Sequence, residues 1–115
     1  MRSSFEGGGL VLESEYQAQI IELAQFRGWL VAHFRTSRTQ RADGSVFYQT
    51  AIAADGKGFP DLVLVRERVI FAEIKTDKGR LSDEQKAWRD VLLTSGAEWY
   101  CWKPRDFDNV MEVLE

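Results

Sequence analysis

These 115 residues contain one cysteine, two prolines, and no apolar run near the roughly 18 residues that a membrane span requires. A lone Cys101 cannot form an internal disulfide, and the composition suits a reducing compartment, so a cytoplasmic location is expected. No secretory apolar segment stands near the start, and nothing implies a membrane or an organic cofactor. Excess positive charge is missing too. At a net −3 the chain as a whole does not look like a polyanion binder. A chain of this length buries roughly two-thirds of its unfolded surface, so residues 1–115 are expected to form one domain needing neither disulfide nor structural metal. Residues 1–11, polar and glycine-rich through Met1–Gly9, read as a loose N-terminal arm.

The distribution of charge is more informative than its sum. Between Arg27 and Arg80 ten Lys/Arg face six Asp/Glu, a net +4, which leaves −7 in the two flanks. A basic middle between acidic ends allows a polyanion partner without requiring one. Along the chain, Ser14-Glu15-Tyr16-Gln17 has the form of a capping box, and Leu12, Tyr16, Ile20 and Leu23 continue at helical spacing as far as Gly28. Trp29–Phe34 reads as a strand. Thr36–Lys57 shows no clear period and reads as a long connection, a kind that is usually functional or disordered. Leu62–Val65 and Val69–Ile74 read as strands joined by Arg66-Glu67-Arg68. Ser82-Asp83-Glu84-Gln85 is a second capping box, opening a helix through Trp88 and Leu92 that stops before Gly96. Ala97–Trp102 reads as a further strand, and Asp106 as the cap of a short helix with Phe107, Val110, Met111 and Leu114 on its apolar side. The order α-β-(loop)-β-β-α-β-α predicts an α/β domain, a mixed sheet flanked by helices.

The two central strands end on charge in a costly place. A three-residue turn at 66–68 sets Val65 opposite Val69 and Leu62 opposite Ala72, and therefore Asp61 opposite Glu73. Opposed residues in an antiparallel pair have Cβ atoms about 4.5–5.5 Å apart. Lys75 falls on the same face as Glu73, one pleat further on. Two carboxylates that close repel, and a divalent cation removes the conflict. Mg²⁺ takes oxygen ligands and is typically held by one or two carboxylates, with water and phosphate completing its shell. The Ile74 carbonyl is a further candidate ligand, and Lys75 stands where it can orient a nucleophile or offset charge on a phosphate. These are the parts of metal-assisted phosphodiester hydrolysis.

Pro60-Asp61, an eleven-residue gap and Glu73-Ile74-Lys75 have the form PD…(D/E)xK and resemble the PD-(D/E)xK nuclease superfamily. With Gly58-Phe59-Pro60-Asp61-Leu62, Gly79-Arg80-Leu81-Ser82, Gln85, Trp88 and Tyr100-Cys101-Trp102-Lys103-Pro104, the pattern resembles the virus-type replication-repair nuclease (VRR-NUC) domain over roughly Glu13 to Pro104. The resemblance implies a restriction-endonuclease-like fold and a Mg²⁺-dependent endonuclease, with Mn²⁺ substituting, whose catalytic core is Asp61, Glu73 and Lys75. It also implies that Gln85 contacts the nucleophilic water or a phosphate. A glutamate of the first helix would lie near the metal. Glu15 is the matching position, with Glu13 and Glu22 as alternatives. Stand-alone domains of this kind, common in phages, resemble Holliday-junction resolvases and act as homodimers, which points to branched DNA, a four-way junction above all, and to a phage- or bacterium-encoded protein.

Several of these residues have a second reading. Gln85 is also the N3 residue of its capping box, and Glu15 lies in a first helical turn, where the macrodipole favours an acid regardless of function. Arg35, Arg38, Arg41 and Lys57 form either a solvated loop or a strap along the DNA backbone, with Lys78 and Arg80 placed to touch the same strand. His33 is expected to be packed rather than catalytic, Trp88, Trp99 and Trp102 to be core or dimer contacts, and Cys101 a small core residue. A restriction-type or single-strand-specific nuclease, or a non-cutting DNA-binding module, would carry much of the same pattern.

Overall fold

The helical stripe of the first segment meets the alternating pattern of the central strands across one interface. In α1 (Glu13–Phe26), Tyr16, Ile20 and Ala24 recur every four residues, lie along one face and are fully buried. In β4 (Leu62–Val65) and β5 (Val69–Ile74), every second residue faces that helix, burying Leu62, Leu64, Ile70, Ala72 and Ile74. Each such aliphatic side chain contributes about 1.5–3 kcal/mol through burial. The computed structural model describes residues 12–34, 37–40, 42–44, 46–49 and 53–115, with backbone only for 37–40 and 46–49. The expected N-terminal arm lies outside the described residues.

Four strands form a mixed sheet in the order β1-β4-β5-β6, with β1 (Leu30–His33), β4 and β5 antiparallel and β6 (Glu98–Trp102) parallel to β5. The parallel pair requires a crossover, which α2 (Asp83–Thr94) provides on the opposite face from α1. The β4–β5 register pairs Val65 with Val69 and Leu62 with Ala72, as the three-residue turn predicts. After a 3₁₀ turn (Pro104–Asp106), α3 (Phe107–Val113) closes the core with Val110, and Leu114 follows it. The fold is thus α/β, a four-stranded mixed sheet with three helices, consistent with a restriction-endonuclease-like arrangement. No helix among the described residues is long and apolar enough to cross a membrane.

The long connection differs from its expectation. It contains a separate antiparallel pair, β2 (Ser37–Gln40) with β3 (Val46–Gln49), joined across Ala42-Asp43-Gly44. Helix starts differ as well. Leu12, not Ser14, precedes α1, and no side chain caps it; Glu13 and Glu15 in the first turn complement the dipole instead. Asp106 caps the 3₁₀ turn by accepting the Lys103 N–H at 2.9 Å and makes no side-chain cap to α3. Around the β4–β5 turn, Arg66 lies 4.5 Å above the Trp29 ring and donates to the carbonyls of Arg27 and Glu115. Arg68 donates to the Val113 carbonyl and pairs with Glu98 at 2.7 Å. Two cations of the basic middle segment therefore tie down the C-terminus at the end of the sheet away from Asp61.

Candidate active site

Asp61 enters β4 behind the buried Pro60 and accepts the Ile74 N–H through Oδ2 at 2.9 Å. This bond fixes the carboxylate across the end of the β4–β5 ladder. Glu73, on the neighbouring strand, is 1% exposed, although an ionised carboxylate is costly to bury. Its Oε1 accepts from Gln85 Nε2 at 3.0 Å, and its carboxyl group meets that of Asp61 directly. Burial, then the hydrogen bond and charge of Asp61, push the Glu73 carboxyl far above the usual range, to about 9, with the Lys75 ammonium pulling the other way. Two carboxyl groups in contact disfavour each other's ionisation, which is why the buried one is raised.

Gln85 carries both roles that its position allows. Its backbone N–H donates to Ser82 Oγ at 3.1 Å, and its Oε1 accepts the Ser82 N–H at 2.8 Å, completing the capping box. Nε2 of the same side chain donates to Glu73. The cap that starts α2 thereby orients an active-site amide. Two glycines make this packing possible. At Gly58 (φ +88°) a Cβ would lie 2.5 Å from the Glu84 carbonyl carbon, so the Gly58-Phe59-Pro60-Asp61 segment rests directly on the first turn of α2. At Gly79 a Cβ would lie 3.3 Å from Cβ and Cδ of Lys75, so the missing side chain leaves room for the lysine stem. Phe59 anchors the same segment through edge-on contacts with Phe34, Phe71 and Trp88, and Trp88 Nε1 donates to the Asp55 carbonyl at 3.0 Å.

The first helix contributes a different acid from the one matched by motif. The Glu13 carboxyl is raised by lost hydration and then by the charge of Asp61, and lowered by Lys75; Glu73 in turn feels Glu13. Glu15 is exposed and stands two residues on, about 200° around the helix. Glu13 is exposed as well, and the exposed Glu22 lies further along the helix. Of the three, Glu13 is the one whose carboxyl feels Asp61 and Glu73. Among the described residues, no three His, Cys, Asp or Glu side chains form a ready-made metal cage.

Of the expected DNA contacts, Arg35 and Arg41 lie outside the described residues, as does the side chain of Arg38. Lys57 pairs with Glu84 at 3.1 Å on the surface. Lys78 is exposed in the turn after β5, and Arg80 lines an open cavity beside the carboxylates. Trp102 belongs to the core, where its Nε1 donates to Asn109 Oδ1 at 3.1 Å. Trp99, on the opposite face, is half-buried, and its indole N–H is enclosed without a partner among the described residues. Cys101 is half-buried rather than core, and His33 is half-buried on the face covered by α1.

No curated protein and no solved structure matches this chain. A family model does: that of the VRR-NUC domain matches residues 12–103, from the start of α1 past the end of β6, and takes in Glu13, Asp61, Glu73, Lys75 and Gln85. With most of its length inside that match, the chain belongs to the VRR-NUC domain family of nucleases.

Proposed function

We propose that the protein is a divalent-metal-dependent endonuclease that hydrolyses phosphodiester bonds in DNA, with branched DNA, in particular a four-way junction, as its substrate. One observation carries the metal: Glu73 is buried directly against Asp61, so two carboxyl groups meet at one end of the sheet. Mg²⁺ fits that arrangement, since it binds through one or two carboxylates and keeps positions for water and phosphate. The Ile74 N–H points to Asp61, and in an extended strand the carbonyl of the same residue points to the same edge, which adds a neutral oxygen. Glu13, whose carboxyl feels Asp61, would help to hold water at this point through a hydrogen bond. When bound, the cation supplies Lewis-acid activation of water and neutralises charge on the phosphoryl oxygens.

The side chains of the chain supply the rest. Lys75 places its charge beside both carboxylates, where it can hold a water for attack on phosphorus or stabilise the charge that develops on a non-bridging oxygen. Gln85 fixes the Glu73 carboxylate and keeps its second amide hydrogen for water or phosphate. The N-terminal turns of α1 and α2 both open toward this point, so their dipoles favour an anion there.

The test is cleavage of a synthetic four-way junction, a linear duplex and a single strand with Mg²⁺, Mn²⁺ or EDTA. Asp61→Asn and Glu73→Gln are each expected to lose at least 100-fold in rate while keeping the wild-type circular dichroism spectrum. Undiminished cleavage by either variant in excess Mg²⁺ removes the metal assignment. Preference for duplex or single strand over the junction removes the resolvase-like substrate and leaves the chemistry standing.

A further inference from the structure

We infer that the cavity beside the carboxylates, lined by Gly79, Arg80, Leu81, Lys86, Cys101 and Lys103, is a subsite for a second phosphodiester group of the strand being cut. This rests on the nuclease reading above but concerns a separate place in the fold, one strand further across the sheet.

Position is the first support. Cys101 is the register partner of Glu73, so the cavity floor lies one strand spacing, about 5 Å, from the buried acid and on the same face. Lys103 follows two residues on, next to Lys75, whose N–H donates to the intervening Trp102 carbonyl. Burial and then Glu73 push the Cys101 thiol up, Lys103 and Lys75 pull it down, and Asp106 adds to the rise, which puts the cavity and Glu73 within one electrostatic neighbourhood. Passing from β4 to β6, the sheet end therefore changes from acidic (Asp61, Glu73) to basic (Lys103, flanked by Arg80 and Lys86).

Composition is the second. Three of the six lining residues are cations and none is an acid. None of the three forms an ion pair with a carboxylate among the described residues, where Lys57, Arg66, Arg68 and Arg89 each do. Lys103 Nζ donates to the Asp77 carbonyl at 3.2 Å, a neutral acceptor that orients the ammonium. Leu81, Gly79 and Cys101 complete the wall with apolar or small groups, and at about 360 Å³ the cavity has room for a phosphate with part of a sugar.

The contrast with the larger cavity on the same face is instructive. That one, about 580 Å³, is lined by Asp55 and Glu84 against a single Lys57, which is already paired with Glu84. Its charge repels phosphate. Of these two hollows, the one next to Glu73 suits an anion.

The experiment is DNA binding by the full chain in EDTA, followed by anisotropy of a labelled junction and a labelled single strand over a range of KCl. Cleavage plays no part in this readout. Lys86→Gln and Lys103→Gln are each expected to weaken binding several-fold on every sequence. Each should also lower the slope of log K against log[salt] by roughly 0.7–0.9, the loss of one phosphate contact. Lys86→Arg should restore the slope. DNA should also slow alkylation of Cys101 by N-ethylmaleimide. A Lys86→Gln/Lys103→Gln double variant that folds and keeps the parental slope, with Cys101 equally reactive with and without DNA, overturns the subsite. Metal-dependent cleavage with that unchanged slope defeats the subsite alone. Lowered slopes without cleavage of any substrate uphold the subsite and defeat the nuclease reading.

Discussion

Glu73 is both the most buried acid among the described residues and the one whose charge state responds most to its surroundings. Without metal the native state keeps its proton up to a pH of about 9, whereas the unfolded chain releases it near 4.5. Between those values the native state binds more protons than the unfolded one, so stability falls as pH rises through that window. In EDTA, the wild-type melting temperature is expected to drop by on the order of 5–10 °C more than that of Glu73→Gln between about pH 6 and about pH 8.5, equivalent to about 1–2 kcal/mol. Mn²⁺ should reverse the loss in the wild type and leave Glu73→Gln unmoved. Parallel pH curves for the two proteins in EDTA would show that the acid pair is not coupled as drawn. A second prediction separates the helix acids: Glu13→Gln should cut the cleavage rate at least tenfold and Glu15→Gln less than twofold, and the reverse order would reinstate Glu15. That choice was not legible in the sequence. Both residues occupy a first helical turn, and which one meets Asp61 depends on how α1 docks on the sheet, a tertiary fact. The opposition of Asp61 and Glu73 was legible because a short turn fixes register locally.

At the scale of elements, the site is assembled by the contact between the residue 58–61 segment and the first turn of α2. Gly58 permits it, with a positive φ and no Cβ where Glu84 backbone stands 2.5 Å from the ideal Cβ position. Gly58→Ala must shift α2 or the segment, and is expected to cost on the order of 2–4 kcal/mol and to lower cleavage by displacing Gln85 from Glu73. Gly96→Ala is the control, because that glycine also has positive φ but meets nothing within 4 Å. It should cost about 1 kcal/mol and leave the cleavage rate intact, so equal losses in the two variants would mean that backbone strain, not close packing, governs Gly58. The α2 capping box could be read in advance because Ser82 and Gln85 satisfy each other within four residues. The β2–β3 pair was missed because Ser37–Gln40 is polar throughout and lacks apolar alternation. The available signal was Asp43-Gly44, a dipeptide that commonly turns hairpins.

Two matched incisions at a symmetric junction require two active sites, and the 115-residue chain has one candidate site. A two-fold homodimer satisfies that requirement, and the sheet offers a surface for it. On the face that carries α2, the helix packs against β6. Leu30, Val65 and Val69 form one register row there, with Leu30 76% and Val69 45% exposed, and both are large apolar side chains. Adjacent exposed apolar side chains are a liability in a monomer and a contact in a dimer. This row occupies the end of the sheet opposite Asp61 and Glu73, so a two-fold axis there keeps both sites accessible and separates them by roughly two sheet lengths. A dimer is therefore expected in sedimentation equilibrium. Leu30→Lys/Val69→Lys should convert it to a monomer with unchanged circular dichroism. That monomer should still nick a junction but lose the paired cuts on opposing strands, measured as linear product released from a junction extruded on a supercoiled plasmid. A wild-type chain that sediments as a monomer even on junction DNA would remove the dimer and the paired cuts together, leaving the metal chemistry of a single site.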